Sequence, residues 1–101
     1  MIARTGSKPL IGLPWFRKED FASLRDVFSD RENVHDTWEE WLQSALKMEA
    51  AIKAQGGRAE RVDIEPKAFA DWCKRNGLKT DGRGRQAFAA AAIASRMTPR
   101  H

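Results

Sequence analysis

One short segment limits the folds open to this chain. From Arg58 to Glu65, Val62 and Ile64 alternate with Arg61, Asp63 and Glu65. That period of two marks a strand with one buried face. No other segment shows it convincingly. A lone strand leaves its main-chain donors and acceptors unmet, so it must pair with another extended segment. Two partners are available: the Leu10 to Leu13 segment, or the same strand of a second chain. The expected fold is mostly α with a minor β element. It is a single small domain of about four helices and a short strand, with a two-stranded sheet if the N-terminal segment supplies the partner.

The helices are marked by apolar spacing and end signals. Phe21, Leu24, Val27 and Phe28 form one stripe over Lys18 to Phe28, with Glu19 and Asp20 in the first turn. Thr37-Trp38-Glu39-Glu40 has the pattern of a capping box. Behind it, Trp38, Trp41, Leu42, Ala45, Leu46, Met48 and Ile52 make a broad apolar face that Gly56-Gly57 terminates. Pro66 opens a third helix to Arg75, with Phe69, Trp72 and Cys73 inward and Asn76-Gly77 as its stop. Leu78 is expected to return to the core. A fourth helix is expected from Arg85 to Arg96, with Phe88, Ala91, Ala92 and Met97 on its contact side. The core should gather around Trp38, Trp41, Phe69 and Trp72.

At 101 residues the chain fits one domain, since domains most often hold roughly 100 to 150. Gly6, Pro9, Gly12 and Pro14 punctuate the start. The expected division is a flexible segment over 1–14, a globular domain over 15–97 and a tail over 98–101. The start does not read as a secretory signal. Its apolar stretch, Leu10 to Leu13, is cut short by Pro14. No run approaches the roughly 18 apolar residues of a membrane span. A soluble, cytoplasmic protein without membrane association is expected.

Most catalytic chemistry lacks its residues. Cys73 is the single cysteine, and His35 and His101 are the only histidines. No spacing joins the thiol to a base, and its neighbours Phe69 and Trp72 place it on an apolar face. A structural zinc site needs four Cys or His ligands, and the chain has three such residues. His35, Asp36, Glu39 and Glu40 read as the acidic surroundings of a helix start. Glu39 and Glu40 diverge by about 100° around a helix, and Asp63 and Glu65 lie on the strand's open face. Gly82-Arg83-Gly84 lacks the third glycine and the preceding strand of a dinucleotide loop. No catalytic residue, metal ligand or cofactor is assigned, and the chain is not expected to be an enzyme.

Charge is the remaining signal. Residues 1–14 carry +2, residues 15–65 carry −4 and residues 66–101 carry +6, summing to the net +4. This asymmetry suits a polyanion surface or head-to-tail self-complementarity. Lys74, Arg75, Lys79, Arg83 and Arg85 flank one helix–loop–helix junction. Arg83 and Arg85 sit at a helix start, where the dipole disfavours cations and glycines weaken the turn. Such local conflicts gather at functional sites. These five residues are the candidate contacts for an anion or a nucleic acid.

The order Leu13-Pro14-Trp15-Phe16, Thr37-x-x-Glu40-Trp41-Leu42, Val62-x-Ile64, Phe69-x-x-Trp72-Cys73 and Gly77-Leu78 resembles a set of small uncharacterised bacterial proteins. The resemblance runs from residue 13 to about residue 96 and implies no activity, ligand or site residue. The function expected from the residues is protein–protein interaction or self-association without catalysis. The alternative is weak, sequence-tolerant binding of nucleic acid or a phosphorylated ligand through the basic C-terminal third.

Overall fold

The computed structural model describes residues 9–97. In chain order the elements are β1 (Leu10–Trp15), α1 (Phe21–Val27), α2 (Trp38–Ala54), β2 (Arg58–Asp63), α3 (Pro66–Arg75) and α4 (Gly82–Met97). Short 3-10 turns at Lys18–Asp20 and Arg31–Asn33 flank α1. The strand's partner lies within the chain. β1 and β2 run parallel, in register from Leu10 opposite Arg58 to Trp15 opposite Asp63. Bonds from Arg58 N to Pro9 O and from Ile64 N to Trp15 O, both 2.9 Å, extend the ladder at each end. Parallel strands need a long crossover, which α1 and α2 provide.

This pairing corrects the N-terminal boundary, since residues 10–14 are strand rather than flexible segment. Residues 1–8, the tail 98–101 and the Met97 side chain lie outside the described residues. Gly12 and Pro14 are tolerated in β1 for different reasons. A Cβ on Gly12 would lie 2.9 Å from the Ala89 carbonyl oxygen and 3.0 Å from Ile93 Cγ1, so glycine lets α4 approach the strand. Pro9 O and Trp15 O face β2, and alternation turns the missing N–H of Pro14 to the outer edge, where no ladder bond is lost.

The sheet is packed on both faces. On one side Val62 meets Ala89 and Ile93 of α4. On the other, Leu13 and Trp15 join Phe16, Leu24, Phe28, Ile64, Phe69 and Cys73. The tryptophans are less central than their spacing predicts. Trp41 and Phe69 are buried, whereas Trp38 and Trp72 are half-buried. Trp38 keeps its indole at the rim and donates to the Phe16 carbonyl at 2.8 Å. Trp72 meets Phe88 edge-on at 5.4 Å. Phenylalanines hold the centre: Phe16 stacks on Trp41 at 4.5 Å, and Phe28 meets Phe69 edge-on at 5.9 Å.

Within β2 the alternation holds at its end, with Val62 buried between exposed Arg61 and Asp63. Ile64, just past the strand, is buried in the cluster with Leu13 and Trp15 rather than with Val62. The other face of β2 is not fully open. The Arg61 guanidinium lies 3.9 Å from the centre of the Trp15 ring and donates twice to Glu49 of α2, at 2.8 and 2.9 Å. Arg61 thus spreads its planar head between an aromatic face and a carboxylate, which ties α2 to the sheet.

Local signals set most helix ends. Thr37 Oγ1 accepts from Glu40 N at 3.1 Å, and Gly56 at φ +85° stops α2. Pro66 opens α3 while the Glu65 carboxylate accepts from Lys67 N and Ala68 N. Gly77 at φ +66° ends it. α4 departs from expectation, starting at Gly82 and burying Ala89 and Ile93 while Ala91 is exposed.

Candidate functional site

The junction between α3 and α4 is held by long-range bonds. Leu78 N donates back to the Cys73 carbonyl at 2.9 Å, but the Leu78 side chain stays 41% exposed instead of entering the core. Thr80 fastens the linker to the end of α1. Its Oγ1 donates to the Val27 carbonyl at 2.8 Å, and Ser29 N donates to both oxygens of Thr80.

The start of α4 is capped twice. Asp81 Oδ1 accepts from Gly84 N at 3.0 Å, and Asp30 Oδ2 accepts from Gly82 N at 3.1 Å. These carboxylates offset the two weak glycines and explain the early start of the helix. Gly84 has a packing role as well. A Cβ there would lie 2.1 Å from the Lys79 carbonyl oxygen and 3.3 Å from Cys73 Sγ.

The five basic residues divide into two groups. Arg85 is structural: its guanidinium donates to both Asp30 oxygens, at 2.8 and 3.0 Å, and lies 4.3 Å from the centre of the Phe28 ring. Its side chain is 12% exposed. The hydrogen bond from Arg85 is the largest influence holding the Asp30 carboxyl below its ordinary range. Lys74, Arg75, Lys79 and Arg83 are exposed, and none forms an ion pair among the described residues. The conflict at the helix start was therefore two features: a long-range clamp at Arg85 and free cations around it.

Other titratable groups are similarly placed. Cys73 is 1% exposed, and burial, with Asp81 adding to it, pushes its thiol pKa up, away from a reactive thiolate. Among the acidic residues near His35, Asp36 pairs with Arg25 at 3.5 Å and Glu39 with Lys18 at 3.2 Å. Among the described residues, no group of three or more His, Cys, Asp or Glu is placed to hold a metal ion. Nor is any helix there long and apolar enough to cross a membrane.

A second site escaped the sequence reading. A groove of about 430 Å³ runs between β1 and α2. Ile11, Leu13 and Trp15 line it from the strand, and Trp41, Ala45, Met48 and Ile52 from the helix. Gln86 and Arg85 border it from α4, and His35 stands at the loop before α2. Ile11 is 37% exposed and Met48 56% exposed, so the apolar lining reaches solvent. β2 occupies one edge of β1, and no strand pairs with the other edge among the described residues. There Gln86 Nε2 donates to the outward Gly12 carbonyl at 2.9 Å. The signal available in sequence was the breadth of the α2 face. Met48 and Leu46 widen it beyond what one layer of partners covers. Beside this geometry, no family model, no curated protein and no solved structure matches the chain.

Proposed function

We propose that the protein acts without catalysis, as a binding module that takes an extended, apolar segment of another protein into the groove between β1 and α2. The observation that supports this is the coincidence of an edge that no strand pairs with among the described residues and an apolar lining along the same strand. An added strand would gain main-chain hydrogen bonds from the edge and side-chain burial from the groove. Gln86, which now satisfies the Gly12 carbonyl, is a side chain that a peptide N–H can displace. A second copy fits this surface less well. Ile11 and Met48 lie within the groove themselves, so two copies would bring one concavity to another. Inserting the exposed Leu78 of a neighbour is a head-to-tail contact, which makes rings or filaments.

The test selects extended peptides from a displayed random library against the full chain and maps binders by amide chemical shifts. Binders should carry alternating apolar residues and shift the amides of Leu10, Gly12 and Met48. Met48→Glu should abolish binding with little loss of stability, because Met48 is more than half exposed. Binders that leave those amides unmoved overturn the proposal. Light scattering behind size exclusion supplies the other arm. A concentration-dependent dimer dispersed by Met48→Glu would make the occupant a second copy and overturn the external-segment reading.

A further inference from the structure

We propose that the α3–α4 junction is a separate interaction surface that binds the phosphate backbone of nucleic acid without reading its sequence, through Lys74, Arg75, Lys79 and Arg83. Three observations meet there. First, these cations are exposed and lack ion-pair partners among the described residues. Asp81, the acidic residue inside the same stretch, is turned inward as the cap of α4. Second, the backbone carrying them is fixed. Thr80 ties the linker to α1, Asp30 clamps Gly82 and Arg85, and Leu78 N bonds back to α3. Little main-chain entropy remains to be lost on binding, although the long side chains stay free.

Third, the arrangement favours an extended polyanion over a single phosphate. The amides of Gly82 and Gly84 are already taken by Asp30 and Asp81, so they do not offer the open amide cradle of a phosphate pocket. Contact must come from side-chain cations spread over the last turn of α3, the linker and the first turn of α4. A protein partner would want an apolar centre to such a patch, and Leu78 is the one large exposed apolar residue in it. Nucleic-acid interfaces are more polar and more positive. Trp72, the nearest aromatic on α3, packs against Phe88, so base stacking adds little and sequence tolerance follows.

The experiment is a fluorescence-anisotropy titration of the full chain with labelled random-sequence single strands and duplexes at about 50 and 200 mM salt. Binding is expected at the lower salt, with log affinity falling linearly with log salt. If all four residues touch phosphate, the slope magnitude is roughly 3.6 for duplex and 2.8 for single strands. Arg83→Gln should flatten the duplex slope by about 0.9. Replacing all four with Gln should abolish binding at unchanged thermal unfolding, while Lys47→Gln with Lys53→Gln on α2 should leave it intact. No binding at the lower salt overturns the inference. So does binding that survives the fourfold replacement, or competition by polyglutamate as strong as by unlabelled nucleic acid at equal charge.

Discussion

Asp30 and Arg85 meet across 55 residues of chain, two nitrogens on two oxygens at 2.8 and 3.0 Å. With side-chain exposures of 17% and 12%, this pair is shielded more than any other ion pair seen among the described residues. Removing Arg85 leaves the shielded Asp30 carboxylate without its two guanidinium donors and strips the guanidinium from the Phe28 ring. Arg85→Ala should cost about 2 to 4 kcal/mol by urea titration. Arg83→Gln, two residues earlier but exposed, should stay within about 0.5 kcal/mol. Equal losses would refute the division of the basic residues into clamp and free cations.

Acid should loosen the fold through two carboxylates. Asp30 is held low chiefly by its hydrogen bond from Arg85, and Glu49 chiefly by its hydrogen bond from Arg61. A depressed folded pKa adds stability that is present above the unfolded value, near 4, and is lost as pH falls through the folded one. Stability should therefore hold from about pH 7 to 5 and fall below about pH 4. Asp30→Asn should be less stable at neutral pH and show a shallower acid decline. Urea midpoints across that range check the sign.

Gly84 is fixed by space and Gly77 by backbone angle. Gly84→Ala would force a methyl to within 2.1 Å of the Lys79 carbonyl oxygen, so α4 or the linker must move, at roughly 2 to 4 kcal/mol. Gly77→Ala meets nothing within 4 Å but sits at φ +66° and should cost about 1 kcal/mol. Thermal unfolding of the two variants should separate by several degrees.

The two faces of β2 give a paired test. Val62→Asp puts a carboxylate against Ala89 and Ile93 and should unfold the chain or cost more than about 3 kcal/mol. Asp63→Val changes an exposed position and should stay within about 0.5 kcal/mol. Far-UV circular dichroism with urea titration distinguishes them.

What could be read in advance follows the range of the interactions concerned. Thr37, Gly56, Pro66 and Gly77 act within a turn of their own position, so the ends of α2 and α3 were legible. The start of α4 was not, because one of its caps, Asp30, comes from a distant loop. Gly12 and Pro14 read as breaks because their justification lies in the backbone of α4 and in the side of β1 that faces away from β2. The same limit governs the sites. Five basic residues were visible as charge, but nothing local showed that Arg85 was already spoken for. The groove was hidden for another reason. Periodicity identifies an apolar face without saying how much of it the rest of the chain will cover.

The parallel pairing of β1 also sets an order of assembly. Its ladder partner follows the whole of α2, and the helix that seats against Gly12 ends the described chain. During synthesis β1 emerges before β2 and α4, so it waits for both of these neighbours. Distant pairing of this kind is slow, and a strand left waiting exposes Ile11, Leu13 and Trp15 to other nascent chains. β1 precedes both of its neighbours in the chain, and the Gln86 bond to its Gly12 carbonyl can form only after α4 has been made.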